Sequence, residues 1–95
     1  MKTILITGGN SGIGYHACLL LAELKHKVIM IWRNEASAKG KCDEIIKLTN
    51  NNNLFYYIAN LAEISSIKSV ADEIVREVKT IDVLINNAAD FDLSI

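Results

Sequence analysis

The stretch Thr7-Gly8-Gly9-Asn10-Ser11-Gly12-Ile13-Gly14 decides the fold of this chain. It connects an apolar run of strand length to a segment of helical period, and four of its residues are glycines. A turn at this place directs backbone N–H groups and the positive end of a helix at one point, where an anion can bind if no β-carbon blocks its approach. A tight turn alone needs fewer glycines, so we interpret the stretch as a phosphate-binding turn between a strand and a helix.

A P-loop of an ATPase or GTPase is the natural alternative for such a turn. The gap from Gly9 to Gly14 fits that loop. Tyr15 and His16 follow, however, where a lysine and a serine or threonine must reach phosphate and magnesium. The sequence therefore argues against a P-loop. We assign no catalytic role to these two side chains.

Outward from the turn, strand-length apolar runs alternate with longer segments of helical period. This alternation is typical of an α/β fold, a Rossmann-type parallel sheet with flanking helices. Right-handed crossovers give the strand order 3-2-1-4, half of a doubly wound sheet, and residues 1–95 fit a single domain. The predicted elements are strands at 3–7, 28–32, 54–59 and 82–86, and helices at 12–25, 35–48 and 64–79.

Apolar residues recur at three- and four-residue steps within each predicted helix, which indicates one core-facing stripe per helix. The asparagine run 50–53 predicts a loop after the second helix, since asparagine prefers turns and caps to helix interiors. The expected stripes are Ile13, Ala17, Leu20, Leu21 and Leu24; then Ala38, Cys42, Ile45 and Ile46; then Ile67, Ala71, Ile74 and Val78.

Composition narrows the class of protein. The chain is 51% apolar and 22% charged, has a net charge of −1 and lacks proline, as in a soluble globular domain, and this balance gives no support to a nucleic-acid partner. Its apolar runs fall far short of the roughly 20 residues of a membrane span, so we expect a cytoplasmic protein. Cys18 and Cys42 lack metal-ligand spacing, and we expect buried small side chains and no metal.

The pattern Thr-Gly-x-x-x-Gly-x-Gly at 7–14 resembles the nucleotide-binding motif of the short-chain dehydrogenase/reductase family. Further matches lie where later strands end, at Arg33-Asn34, Asn60-Leu61 and Asn86-Asn87-Ala88-Ala89. The resemblance covers the whole chain and is strongest to NADP-preferring, retinol dehydrogenase-like members. It implies an NADP(H)-dependent oxidoreductase that transfers a hydride between an alcohol and a carbonyl compound, with this chain as the dinucleotide-binding part.

The resemblance also implies roles for single residues. Arg33 stands about twenty residues past the turn, where an acidic side chain would take the ribose 2′-hydroxyl of NAD; a guanidinium there can pair with the 2′-phosphate of NADP. A solvated surface charge is the alternative for Arg33. Asn60 replaces the usual aspartate, and its amide oxygen can still accept from the adenine amino group. The expected cofactor contacts are Gly8, Asn10, Ser11, Gly12, Ile13, Gly14, Arg33, Asn34, Asn60, Leu61, Asn87, Ala88 and Ala89.

The family's catalytic pair, a tyrosine and a lysine four residues later, does not occur in these 95 residues. Leu19, Asn60 and Leu61 follow the three tyrosines at that spacing. We therefore name no catalytic residue and expect a chain that is C-terminally truncated relative to the family. A non-catalytic NAD(P)-binding fragment or partner module stays open as an alternative, as does a flavodoxin-like nucleotide-binding domain. The open edge of strand four predicts self-association or pairing.

Overall fold

The computed structural model describes residues 1–8, 12–60 and 62–86. Strands and helices alternate along this part of the chain, and each predicted element is present with its ends within two residues of the expected positions. In chain order they are β1 (Thr3–Thr7), α1 (Gly12–Glu23), β2 (Lys27–Trp32), α2 (Glu35–Thr49), β3 (Leu54–Ile58), α3 (Ile64–Glu77) and β4 (Val83–Asn86).

The four strands form one parallel sheet in the order β3-β2-β1-β4. This confirms the predicted fold class and strand order. In the register of the sheet, Thr7 lies opposite Ile31 on one side and Asn86 on the other, and Trp32 lies opposite Ile58. Because the strands are parallel, their carboxyl ends share one edge of the sheet. Ligands of open α/β sheets bind outside that edge.

Two apolar clusters form the core, one on each face of the sheet. Successive side chains of a strand alternate between faces, so Ile6 and Met30 pack under α1 and α2 while Leu5 and Ile29 pack under α3. In both β1 and β2, every residue after the first is buried, as expected for strands covered on both faces. β4 lies at the edge of the sheet and its Leu84 is 56% exposed; self-association there stays a prediction.

The predicted stripe of α1 was wrong at three of its five positions, whereas Ala17 and Leu21 are partly buried and pack against the core. The helix buries a line of small residues at four-residue spacing, which lets its backbone lie close to the sheet. For α3 the prediction was wrong at one position, since Val70 is buried and Ala71 is exposed, whereas the predicted face of α2 is confirmed. On α1, Gly14, Cys18 and Ala22 are buried, and Ile13, Leu20 and Leu24 are exposed.

The asparagine run forms the predicted loop, and one of its members is a buried hydrogen-bond hub. Asn50 ends α2 in the left-handed conformation, with φ of 58°. The side-chain amide of Asn51 donates to the carbonyl oxygens of Ala22, at 3.0 Å, and His26, at 2.8 Å. Its side-chain oxygen accepts the N–H of Asn53 at 2.8 Å. Asn51 thereby joins the end of α1 to the start of β3, at the amino edge of the sheet.

Both cysteines are buried, as predicted, and both are free. Cys18 lies on α1 and Cys42 on α2, in the same apolar cluster. The Cys42 thiol donates to the carbonyl oxygen of Leu54 at 3.6 Å. Burial raises the pKa of Cys18 to about 12 and also raises that of Cys42. These thiols therefore stay protonated and act as small core side chains.

Candidate functional site

The glycine-rich turn leaves β1 through a conformation that favours glycine. Gly8 has φ of 69°, in the left-handed region that other residues rarely adopt. α1 begins at Gly12, where an added β-carbon would meet no atom within 4 Å among the described residues outside its own helix, so the helix start is open on that side. Gly14 is buried in α1 and Ile13 is exposed. Gly9, Asn10 and Ser11 lie outside the described residues.

β2 delivers Arg33 and Asn34 to the same edge of the sheet. The Asn34 side-chain oxygen accepts the N–H of Ser37 at 3.0 Å and so caps the N-terminus of α2. Arg33 is exposed, and within the described residues its guanidinium makes no ion pair or hydrogen bond. An open pocket of about 500 Å³ lies here, lined by Trp32, Arg33, Asn34, Ser37 and Lys41.

Trp32 is the buried member of this lining. The side chain is 3% exposed and belongs to the core cluster under α1 and α2. Its indole Nε1 is buried and has no hydrogen-bond partner among the residues that the structure describes. An unpaired buried N–H is costly, by about 1–3 kcal/mol. Trp32 thus lines the pocket and also carries a buried N–H that has no partner in the described part of the chain.

A polar bridge connects the start of α1 to α2 beside the pocket. The Tyr15 hydroxyl donates to Oε1 of Glu44 at 2.5 Å. Lys41 Nζ lies 3.7 Å from Oε2 of Glu44 and 4.9 Å from the centroid of the Tyr15 ring. The hydrogen bond to the carboxylate raises the pKa of Tyr15 to about 12, so the hydroxyl stays a donor. Sequence reasoning missed this bridge; its one signal was the lysine and glutamate three residues apart on α2.

The end of β3 lies next to the end of β2, because the N–H of Ala59 donates to the carbonyl oxygen of Trp32 at 2.9 Å. Asn60 follows and is held by its own turn. Its side-chain oxygen accepts the N–H of Ala62 at 3.1 Å, and its Nδ2 donates to Oε1 of Glu63 at 3.2 Å. An amide oxygen has two lone pairs, so one remains for a further donor. Leu61 lies outside the described residues.

The register brings the backbone of Asn86, at the end of β4, beside buried Thr7. Predicted contacts from three strand ends thus meet at one edge of the sheet: the glycines after β1, Arg33 after β2 and Asn60 after β3. Asn87, Ala88 and Ala89 lie outside the described residues. Within the described ranges, no three histidine, cysteine or acidic side chains are grouped to hold a metal ion, and no helix is long and apolar enough to cross a membrane.

Comparison with known proteins agrees with this architecture. A family model described as short chain dehydrogenase matches residues 2–92. The chain is 37% identical over 87 residues to dehydrogenase/reductase SDR family member 12 of Homo sapiens, which covers 92% of the chain and 27% of that protein. It is 33% identical over 87 residues to retinol dehydrogenase 13 of Homo sapiens, which covers 92% of the chain and 26% of that protein.

Solved structures give the same result. Menthone neomenthol reductase from Mentha piperita superposes with a TM-score of 0.82 at 28% identity, covering 92% of this chain and 31% of that one. Salutaridine reductase from Papaver somniferum superposes with a TM-score of 0.75 at 25% identity, covering 88% and 29%. The chain thus spans about a quarter of the length of the curated relatives named above.

Proposed function

Since the chain belongs to the short chain dehydrogenase family, we propose that it binds a nicotinamide adenine dinucleotide at the carboxyl edge of its sheet and prefers NADP(H). The observation that carries this proposal is Arg33, an exposed guanidinium at the end of β2 without an ionic partner in the described part of the chain. The resemblance to the family implies that this position faces the adenosine ribose of the cofactor. A cation there favours a 2′-phosphate over a hydroxyl.

The glycine turn fits the pyrophosphate of such a cofactor. The left-handed Gly8 turns the backbone out of β1, and the open surface at Gly12 leaves room for an anion at the positive end of α1. Both features are backbone properties, so they do not depend on side-chain rotation. We assign Gly8, Gly12, Ile13 and Gly14 to this contact.

Adenine would lie between the ends of β2 and β3. Asn60 keeps one lone pair of its side-chain oxygen beyond the bond from Ala62. That lone pair can accept a hydrogen bond from the adenine amino group. Asn34, whose oxygen caps α2, contributes its amide group to the same side of the site. The remaining proposed contacts are Asn10, Ser11, Leu61, Asn87, Ala88 and Ala89.

For the whole protein we propose NADP(H)-dependent oxidoreduction of an alcohol or a carbonyl compound. When bound, the dinucleotide supplies or accepts the hydride. The residues of this chain bind the cofactor and orient it along the edge of the sheet, and none of them is assigned to the reacting atoms. Support comes from family membership and from relatives whose names describe dehydrogenases and reductases.

The proposal is tested by titrating the chain with NADPH and with NADH, following nicotinamide fluorescence and the thermal shift together. We expect tighter binding of NADPH, and we expect Arg33→Ala to weaken NADPH by about tenfold, the loss of one charge-assisted contact, while leaving NADH unchanged. Arg76→Ala is the matched control, because Arg76 is exposed on α3, across the sheet from α2. Equal affinity for the two dinucleotides, or no binding at millimolar concentration, would contradict the proposal.

A second candidate is a dinucleotide-binding part without turnover of its own. It is favoured by the absence of a tyrosine followed four residues later by a lysine within these 95 residues. The two candidates differ in one measurement, the consumption of NADPH in the presence of aldehyde and ketone substrates. Saturable NADPH binding with no consumption would support the second candidate for the isolated chain.

A further inference from the structure

The pocket after β2 contains a second cation. Lys41 lies in the second turn of α2 and lines the pocket together with Arg33 and Ser37. Resting on the dinucleotide site proposed above, we propose that Lys41 determines cofactor preference: its ammonium exchanges its contact with Glu44 for the ribose 2′-phosphate of NADP. Lys41 lies within a helix, whereas all the motifs that predicted cofactor contacts lie at the ends of strands, so no sequence motif indicated this contact.

The chemistry of the lining suits a doubly charged phosphate. Arg33 offers a forked set of N–H donors, Lys41 offers an ammonium, and Ser37 offers a hydroxyl. The positive end of α2 adds a partial charge of the same sign. Glu35 is an opposing charge in the first turn of α2, but it does not line the pocket. The lining therefore contains two cations and no carboxylate.

The present contact of Lys41 is weak enough to be exchanged. Its ammonium lies 3.7 Å from Glu44, and each of the two side chains is 47% exposed. Exposed pairs of this kind contribute little to stability. Glu44 keeps the hydroxyl of Tyr15 as a donor when Lys41 moves, so no carboxylate is left unpaired. A lysine side chain is a flexible four-carbon stem with a point charge, which can swing between neighbouring anions.

Trp32 also lines the pocket, and its indole Nε1 is buried without a partner among the described residues. Buried donors are nearly always paired in folded proteins. A ligand bound beside Arg33 and Lys41 therefore lies next to a residue whose N–H lacks a partner in the described part of the chain.

The experiment uses adenosine 2′-monophosphate as the probe, measured by calorimetry on the chain. We expect Lys41→Ala to weaken this probe by roughly three- to tenfold, the range of one partly exposed charge-assisted contact, with NADH unchanged. Lys39→Ala is the matched control, because Lys39 lies on α2 but pairs with Asp43 and does not line the pocket. Glu44→Gln keeps an acceptor for Tyr15 while releasing Lys41, so we expect the probe to bind more tightly to this variant.

The outcomes separate this inference from the proposed function. If Arg33→Ala weakens the probe while Lys41→Ala behaves like Lys39→Ala, the role of Lys41 is overturned and the NADP preference stands. If the unmodified chain does not prefer NADPH to NADH, the proposed function fails first. Inorganic phosphate is the third arm: if Lys41→Ala weakens its binding as much as that of the probe, the pocket is a general anion site and the 2′-phosphate assignment is overturned. Circular dichroism checks that each variant is folded.

Discussion

Replacing Asn51 by alanine is expected to lower the free energy of unfolding by about 3 kcal/mol. The substitution removes three side-chain hydrogen bonds, to Ala22, His26 and Asn53, each of which contributes about 1 kcal/mol net. His26 and Asn53 are at least partly exposed, so water can replace two of the lost partners. The carbonyl oxygen of Ala22 belongs to a fully buried residue, so water does not replace its lost donor, although the N–H of Lys25 still donates to it at 3.0 Å. The expected range is therefore about 2–4 kcal/mol.

Such a loss is large for a chain of this size. Small domains have a free energy of unfolding of roughly 0.05–0.15 kcal/mol per residue, which corresponds to about 5–14 kcal/mol here. Asn51→Asp separates the donor from the acceptor role: the carboxylate still accepts from Asn53, but at neutral pH its second oxygen faces the carbonyls of Ala22 and His26. We expect it to be at least as destabilising as alanine, because like partial charges are then buried together.

The assay is urea unfolding followed by circular dichroism, with Asn52→Ala as the control. Asn52 is the exposed neighbour in the same loop, and its side chain makes no hydrogen bond within the described residues. Exposed substitutions of this type change stability by about 0.5 kcal/mol or less. If Asn51→Ala falls within about 0.5 kcal/mol of Asn52→Ala, the hub does not hold the fold and the reasoning is refuted.

Two further predictions concern α2 and the buried thiol of α1. Gly40→Ala should stabilise the chain by about 0.5–1 kcal/mol, because Gly40 lies inside α2 and an added β-carbon meets no atom within 4 Å; an unchanged or lower urea midpoint would contradict this. Burial raises the pKa of Cys18 from 9.0 to about 12, so the unfolded chain loses the thiol proton at a lower pH than the folded chain does. The contribution of the protonated thiol to the free energy of unfolding is therefore fully present below pH 9 and is lost as the pH rises toward 12. Cys18→Ala should therefore flatten the loss of stability above pH 9, while Tyr15 and Tyr57, whose pKa values are also raised, contribute equally to both proteins.

The order of elements could be predicted from the sequence because several signals agree. The central residues of β1 and nearly all residues of β2 are apolar, and the glycine turn lies between an apolar run of strand length and a segment of helical period. The apolar run of β2 ends at Trp32, so the sequence alone places Arg33 directly after this strand. The strand order then follows from the handedness of crossovers. Local sequence patterns and the strand order therefore both predict that the candidate contacts lie at the carboxyl edge of the sheet.

Other features depend on packing that the sequence does not encode locally. α1 is apolar on more than one face, so periodicity could not choose between the line of Gly14 and the line of Leu20. Asparagine preference predicted a loop at 50–53 but could not distinguish buried Asn51 from exposed Asn52. The role of Lys41 depends on how the second turn of α2 lies beside the end of β2. In each case the missing information is which side of an element meets its neighbour.

The hub at Asn51 and the pocket at Arg33 lie at opposite ends of β2, a strand of six residues. At about 3.3 Å per residue this separates them by nearly 20 Å. Substitutions so far apart, with no shared partner, change free energies additively. A search for variants with altered cofactor preference can therefore vary the pocket freely, and an improved loop at the other end can raise the tolerance of the fold to those changes. A more stable amino edge of the sheet thus allows more substitutions at the carboxyl edge before the chain unfolds.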